Sequence, residues 1–144
     1  MMGERRDTER RVMGTENAFV GDIEDLPHPL DLLDAAARRR AEEEPGILVL
    51  FDFMRSPAPM PKAREAAAIA GYVTWKFRRR FEDVVGLAYR RFLVRYKAVL
   101  GPALIARDVP YPIVATWLGF GDPRGVRGLM ARELNRSPST FRQP

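Results

Sequence analysis

Trp75, Lys76, Arg78 and Arg79 fall within five residues of one another, in the stretch Gly71-Tyr72-Val73-Thr74-Trp75-Lys76-Phe77-Arg78-Arg79-Arg80-Phe81. Their chemistry is recognition of a polyanion. A guanidinium can bond two acceptors on one base edge, an ammonium can neutralise a phosphate, and an exposed indole can lie against a base. At 100° per residue, Phe77, Phe81, Val84 and Val85 share one side of a helix, with Arg79 almost opposite them. Trp75 and Lys76 lie around Arg79, and Arg78 and Arg80 lie at the edges. On this reading Trp75 and Arg79 meet bases, while the cations around them meet phosphate. The plain alternative is that Trp75 packs on a neighbouring helix and the cations merely solvate their face.

The stretch occurs twice. From Gly71, landmarks fall at +10 (Phe81), +15 (Gly86) and +21 (Phe92); from Gly119 they fall at +11 (Met130), +16 (Asn135) and +22 (Phe141). The offset is that of one residue inserted early. A mostly apolar segment precedes each copy, residues 63–70 and 112–118. Helix, glycine turn, helix and aromatic anchor make a helix-turn-helix unit. In the second copy Val126, Leu129, Met130 and Leu134 face inward, Arg124 faces outward and Arg127 lies on a flank. Gly125 and Gly128 each cost about 1 kcal/mol there relative to Ala.

Other segments must position these units. Residues 31–44 form a short helix that ends in Glu42-Glu43-Glu44 and is closed by Pro45-Gly46. Residues 47–54 are almost wholly apolar and form a buried helix. Residues 56–61 are a proline-rich connector and, by composition, the best domain boundary. Residues 88–107 keep one apolar stripe (Tyr89, Phe92, Leu93, Tyr96, Val99, Leu100, Ala103, Leu104) through Gly101-Pro102, which predicts a single kinked helix joining the units. Residues 1–25 have no apolar period and are expected to be flexible, with a short helical piece near residues 10–13. His28, between two prolines, is expected at the surface.

Composition narrows the chemistry. At 144 residues and 46% hydrophobic, the chain is long enough for one sizeable core or two very small ones. It has no Cys and a single His, which excludes disulfides, a Cys/His metal site and a Cys–His nucleophile pair. No motif pairs a nucleophile with a base, so neither an enzyme nor a cofactor is expected. No stretch is apolar for long enough to span a bilayer, and the N-terminus lacks the apolar segment of a secretory signal, so a cytoplasmic protein is expected. The net charge of +5 is uneven: residues 61–144 carry sixteen Lys and Arg against six Asp and Glu, while residues 1–60 carry eight against thirteen. A basic half containing helix-turn-helix units suits nucleic acid. Charge alone would also suit RNA or an anionic membrane surface.

With these residues in view, the chain resembles the DNA-binding domain of the AraC/XylS family of bacterial transcription regulators. Residues 109–122, with Trp117, Gly119 and Gly121, are similar to that family's second unit. Asn135-Arg136-Ser137-Pro138-Ser139-Thr140-Phe141-Arg142 is similar to its closing motif. Gly71-Tyr72 with Trp75 is similar to the small single-domain stress-response activators. The resemblance covers about residues 47–142. It implies an all-α fold of two helix-turn-helix units, about residues 62–92 and 110–142, joined by a long linker helix. The units would enter successive major grooves on one face of double-stranded DNA, with the protein bound as a monomer. It moves the boundary earlier: residues 1–44 become a partly flexible acidic N-terminal extension and residues 45–144 the DNA-binding domain. Carried over by position, Trp75, Arg78 and Arg79 match contacting positions of the first recognition helix; Pro123, Arg124, Arg127 and Gly128 occupy the corresponding places in the second. Pro123 and Gly128 have no side-chain donor, so the second unit departs from the pattern and Arg124 and Arg127 are left to hold phosphate. Residues 1–44 are expected to restrain the basic half. The rival reading is a protein-interaction module derived from such a regulator, binding RNA polymerase or another regulator.

Overall fold

The computed structural model describes residues 23–120 and 123–133, and these are helical, with no strand among them. Two short 3-10 helices, Ile23–Asp25 and Pro29–Leu32, precede α1 (Ala35–Glu42), α2 (Pro45–Arg55), α3 (Ala63–Ala70), α4 (Thr74–Val85), α5 (Tyr89–Ala106), α6 (Tyr111–Leu118) and α7 (Pro123–Glu133). The described residues divide into two compact units. One comprises residues 27–56 and 61–96, the other residues 23–26, 57–60, 97–120 and 123–133.

In the first unit, α2 packs on α3, α3 on α4, and α1 on both α2 and α4. Its core is aromatic. Phe51, Phe77, Phe81, Tyr89 and Phe92 are buried, with Phe51 stacked on Phe92 at 5.5 Å and Phe81 meeting Tyr89 edge-on at 5.2 Å. Tyr hydroxyls fix incoming chain: Tyr89 donates to the Pro61 carbonyl at 2.6 Å and Tyr96 to the Pro27 carbonyl at 2.7 Å. As the periodicity predicts, α4 buries Phe77, Phe81, Val84 and Val85. The helix expected to be buried at residues 47–54 is α2, which buries Ile47, Leu50, Phe51 and Met54 but leaves Val49 and Phe53 exposed, so it is covered on one side only.

Three local expectations change. The helix expected from residue 31 begins later, because Leu33 is extended and Asp34 caps α1 by accepting from the Ala37 amide at 2.8 Å. Pro45 does not close that helix but opens α2, where its missing N–H leaves no bond unmade. His28 is a half-buried structural residue rather than a surface one: its Nδ1 accepts from the Leu30 amide, its ring meets Phe51 edge-on, and its Nε2 lies 3.0 Å from Asp52.

The acidic segment is also part of the packing. Ala37 and Ala41 of α1 are buried, and Arg40 donates to the Val84 carbonyl at 2.9 Å, a cation at the C-terminal end of α4. Residues 27–44 group with α2–α4 in one compact unit. Residues 1–22, including the helical piece expected near residues 10–13, lie outside the described residues.

α5 is a single helix from Tyr89 to Ala106 with Pro102 inside it, as the apolar stripe running through Gly101-Pro102 predicts. Its covered side departs from the predicted stripe. Val99 is exposed, whereas Ala98 and Ile105 are buried. The turn that follows α5 contains Asp108, whose φ of 62° lies in the left-handed region that Asp tolerates better than most residues.

In the second unit, α6 packs on α7. Val114, Trp117 and Leu118 of α6 are buried, as are Val126 and Leu129 of α7, two of the residues whose spacing places them inward. Met60 joins this unit, its amide donating to the Trp117 carbonyl at 3.0 Å.

Candidate nucleic-acid interface

The two glycine turns are alike in detail. Gly71 (φ 86°) ends α3 and Gly119 (φ 87°) ends α6. The next amide reaches back in each: Tyr72 to the Ala67 carbonyl at 2.8 Å, Phe120 to the Ala115 carbonyl at 2.7 Å. Such a 6→1 bond with a left-handed glycine satisfies the last carbonyls of a helix and turns the chain sharply out of it. α4 then begins at Thr74 and α7 at Pro123, three and four residues after their glycines. The one-residue offset in the repeat thus lies between Gly119 and Pro123.

On α4, Lys76, Arg78 and Arg79 are exposed, and Trp75 is 63% exposed beside Val73 at 57%. The Lys76 ammonium lies 5.7 Å from the Trp75 ring centroid, within cation–π reach. Trp75, Lys76 and Arg79 line one shallow groove of about 290 Å³ together with Tyr72, Arg80 and Asp83. Arg78 stands on the same helix outside that lining. Neither Arg78 nor Arg79 has an ion-pair partner among the described residues.

Arg80 differs from its neighbours. It donates to Glu44, which also accepts the Tyr72 hydroxyl at 2.9 Å. The Arg80 hydrogen bond holds the Glu44 carboxyl below its ordinary 4.5, against the upward push of burial and with help from Tyr72. Burial, then the hydrogen bond to Glu44, raises the Tyr72 phenol. The bond to Glu44 also raises Arg80. The sequence hides this cluster, since Glu44 and Arg80 are 36 residues apart and no periodicity connects them. Only the packing of α1 and α2 against the first helix pair brings them together.

The second pair presents less. Arg124 and Arg127 are exposed on α7, three residues apart, with the Arg127 guanidinium carbon 5.8 Å from the Tyr111 ring centroid. Gly125 has a packing reason: a Cβ there would fall 2.7 Å from the Phe120 ring. Pro123 is the first residue of α7, and Gly128 is half-buried within it. The closing stretch 135–142 lies outside the described residues, as do Gly121, Asp122 and Leu134; so does the side chain of Met130.

The chain matches no family model, no curated protein and no solved structure. Among the described residues no helix is long and apolar enough to cross a membrane, and no cluster of His, Asp and Glu could hold a metal ion. What the site offers is an exposed indole beside unpaired cations on one helix face.

Proposed function

We propose that this chain is a sequence-specific DNA-binding transcription regulator of the AraC/XylS kind, built on two helix-turn-helix units, α3–α4 and α6–α7, with α5 as the linker between them. α4 is the reading helix. Trp75 and Arg79 meet base edges, with Arg78 beside them and Lys76 on phosphate, while Arg124 and Arg127 of α7 supply backbone contacts. The single observation that carries this reading is the exposure of Trp75 beside Lys76, Arg78 and Arg79. A Trp packed under a neighbouring helix would have fitted a purely structural role. A good bidentate Arg contact is worth about 1–3 kcal/mol of discrimination against the wrong base.

The rival reading, a module that binds RNA polymerase or another regulator, draws on the same indole. Val73 and Trp75 place two exposed apolar side chains at the start of α4, as a protein partner would require.

Selection of duplexes from a random library separates the two. The expected result is enrichment of one motif by the native chain and loss of that enrichment with Trp75→Ala or Arg79→Ala. No enrichment by the folded native chain overturns the DNA reading.

A further inference from the structure

We propose that Glu44 is a built-in counter-ion that withholds Arg80 from DNA phosphate, so that α4 meets DNA with three cations, Lys76, Arg78 and Arg79, instead of four. The proposal rests on the reading of α4 as the DNA-facing helix and adds a control on its non-specific affinity.

The fold places Glu44 from a distance. Gly46 lies so close to the end of α3 that a Cβ on it would fall 2.1 Å from the Ala70 carbonyl oxygen. The first turn of α2 is therefore seated where the chain leaves α3 through Gly71 and Tyr72. Glu44 is the N-cap of α2, but its side chain makes no capping bond to its own helix. It reaches across instead, taking the Tyr72 hydroxyl on one carboxylate oxygen and the Arg80 guanidinium on the other. The Glu44 side chain is only 15% exposed, while that of Arg80 is 47% exposed and lines the groove with Trp75 and Arg79. A phosphate approaching Arg80 must compete with a carboxylate that is already seated, sheltered and held by a second donor.

The consequence concerns affinity for the DNA backbone and not the choice of sequence. Each phosphate that a protein neutralises steepens the dependence of log K on log salt by about 0.9. A cation removed from that count weakens binding to every duplex alike, whereas base contacts from Trp75 and Arg79 are untouched. Glu44 thus lowers affinity for every duplex and leaves the ratio of specific to non-specific binding unchanged.

The test compares the native chain, Glu44→Gln, Arg80→Ala, the double variant and Glu43→Gln on a random duplex at several salt concentrations. Glu43 is exposed at the adjoining position, so Glu43→Gln matches the change in net charge without freeing Arg80. The expected result is a slope steeper by about 0.9 for Glu44→Gln, which makes its binding about three- to fourfold tighter, relative to the native chain, after a fourfold fall in salt. Arg80→Ala leaves the native slope unchanged and abolishes the gain in the double variant. An equal gain from Glu43→Gln, no gain from folded Glu44→Gln, or a flatter slope from Arg80→Ala alone each overturns the proposal. If Glu44→Gln does not fold by circular dichroism, the slope of Arg80→Ala alone decides. Elution from immobilised heparin separates this proposal from the DNA reading. If the native chain binds no duplex yet Glu44→Gln elutes later in a manner that Arg80→Ala reverses, the withheld cation stands and the DNA reading falls. If the native chain binds duplex but Glu44→Gln elutes with it, the reverse holds.

Discussion

α3 and α6 are each eight residues long, end on a left-handed glycine and pass the chain to an aromatic residue whose amide closes the turn. The helices that follow share neither surface nor constraint. α4 buries an aromatic stripe and exposes Trp75 with a run of cations. α7 exposes Arg124 and Arg127 around a glycine that the Phe120 ring requires. The turn geometry of a repeated unit is thus held by a few backbone bonds, and its outer face is free to differ. In the second pair, the aromatic residue after the turn leans on α7 and takes the position where a side chain would project.

The sharpest way to break the comparison is through the packing that separates the pairs. Gly46→Ala forces a methyl against the Ala70 carbonyl, a backbone atom that cannot rotate away. We expect a loss of about 3 kcal/mol, the upper end of typical overpacking. Hydrogen exchange should accelerate in α2, α3 and α4 and remain unchanged in α6 and α7. Uniform acceleration would show that the two units do not unfold separately.

Next in size is the division of labour on DNA. Arg79→Ala should reduce discrimination between a selected and a random duplex by about 10- to 100-fold. Arg127→Ala should weaken both duplexes equally and flatten the salt slope by about 0.9. Identical behaviour of the two variants on both duplexes would erase the proposed difference between α4 and α7.

Gly125→Ala should act on the second pair alone and more mildly. Ala is the better helix former by about 1 kcal/mol, but crowding of the Phe120 ring outweighs that gain, leaving a net loss of about 1 kcal/mol. Thermal unfolding of Gly125→Ala beside Gly125→Ala with Phe120→Leu checks this, since a smaller side chain at 120 should return the stability.

The smallest effect is pH-dependent and confined to the first pair. The Glu44 carboxyl is held below 4.5 in the folded chain, so its contribution to stability is fully present above that value and is lost as pH falls through the lower folded one. Urea midpoints of the native chain should exceed those of Glu44→Gln at pH 7 and converge with them below 4.5. A gap that persists at low pH would mean that the two variants differ for a reason other than the Glu44 charge.

Much of this was legible before the structure. The stripe in α4 and the one-residue offset between repeats follow from spacing, because helix periodicity and left-handed glycines leave local marks. Trp75, Lys76 and Arg79 are singled out by the same spacing, and they line one groove. What local marks cannot carry is contact between distant segments. Glu42-Glu43-Glu44 reads as a charged helix end, yet Glu44 is the partner of Arg80 because of where α2 is seated. Pro45 marks either the end of one helix or the start of the next, and only packing chooses. Val99 belongs to a continuous apolar stripe in sequence, yet it stands exposed while Ala98 beside it is buried.

The chain carries two tryptophans, and the fold has given them opposite surroundings: Trp75 stands 63% exposed on α4, while Trp117 is fully enclosed in α6. Each helix pair therefore holds its own optical reporter. Trp75 emission should be red-shifted, open to a soluble quencher and sensitive to whatever settles on α4, while Trp117 emission should be blue-shifted, shielded and altered only when α6 comes apart. With Trp75→Phe and Trp117→Phe in hand, one fluorimeter can follow occupancy of the first pair and integrity of the second in the same titration, with no added label.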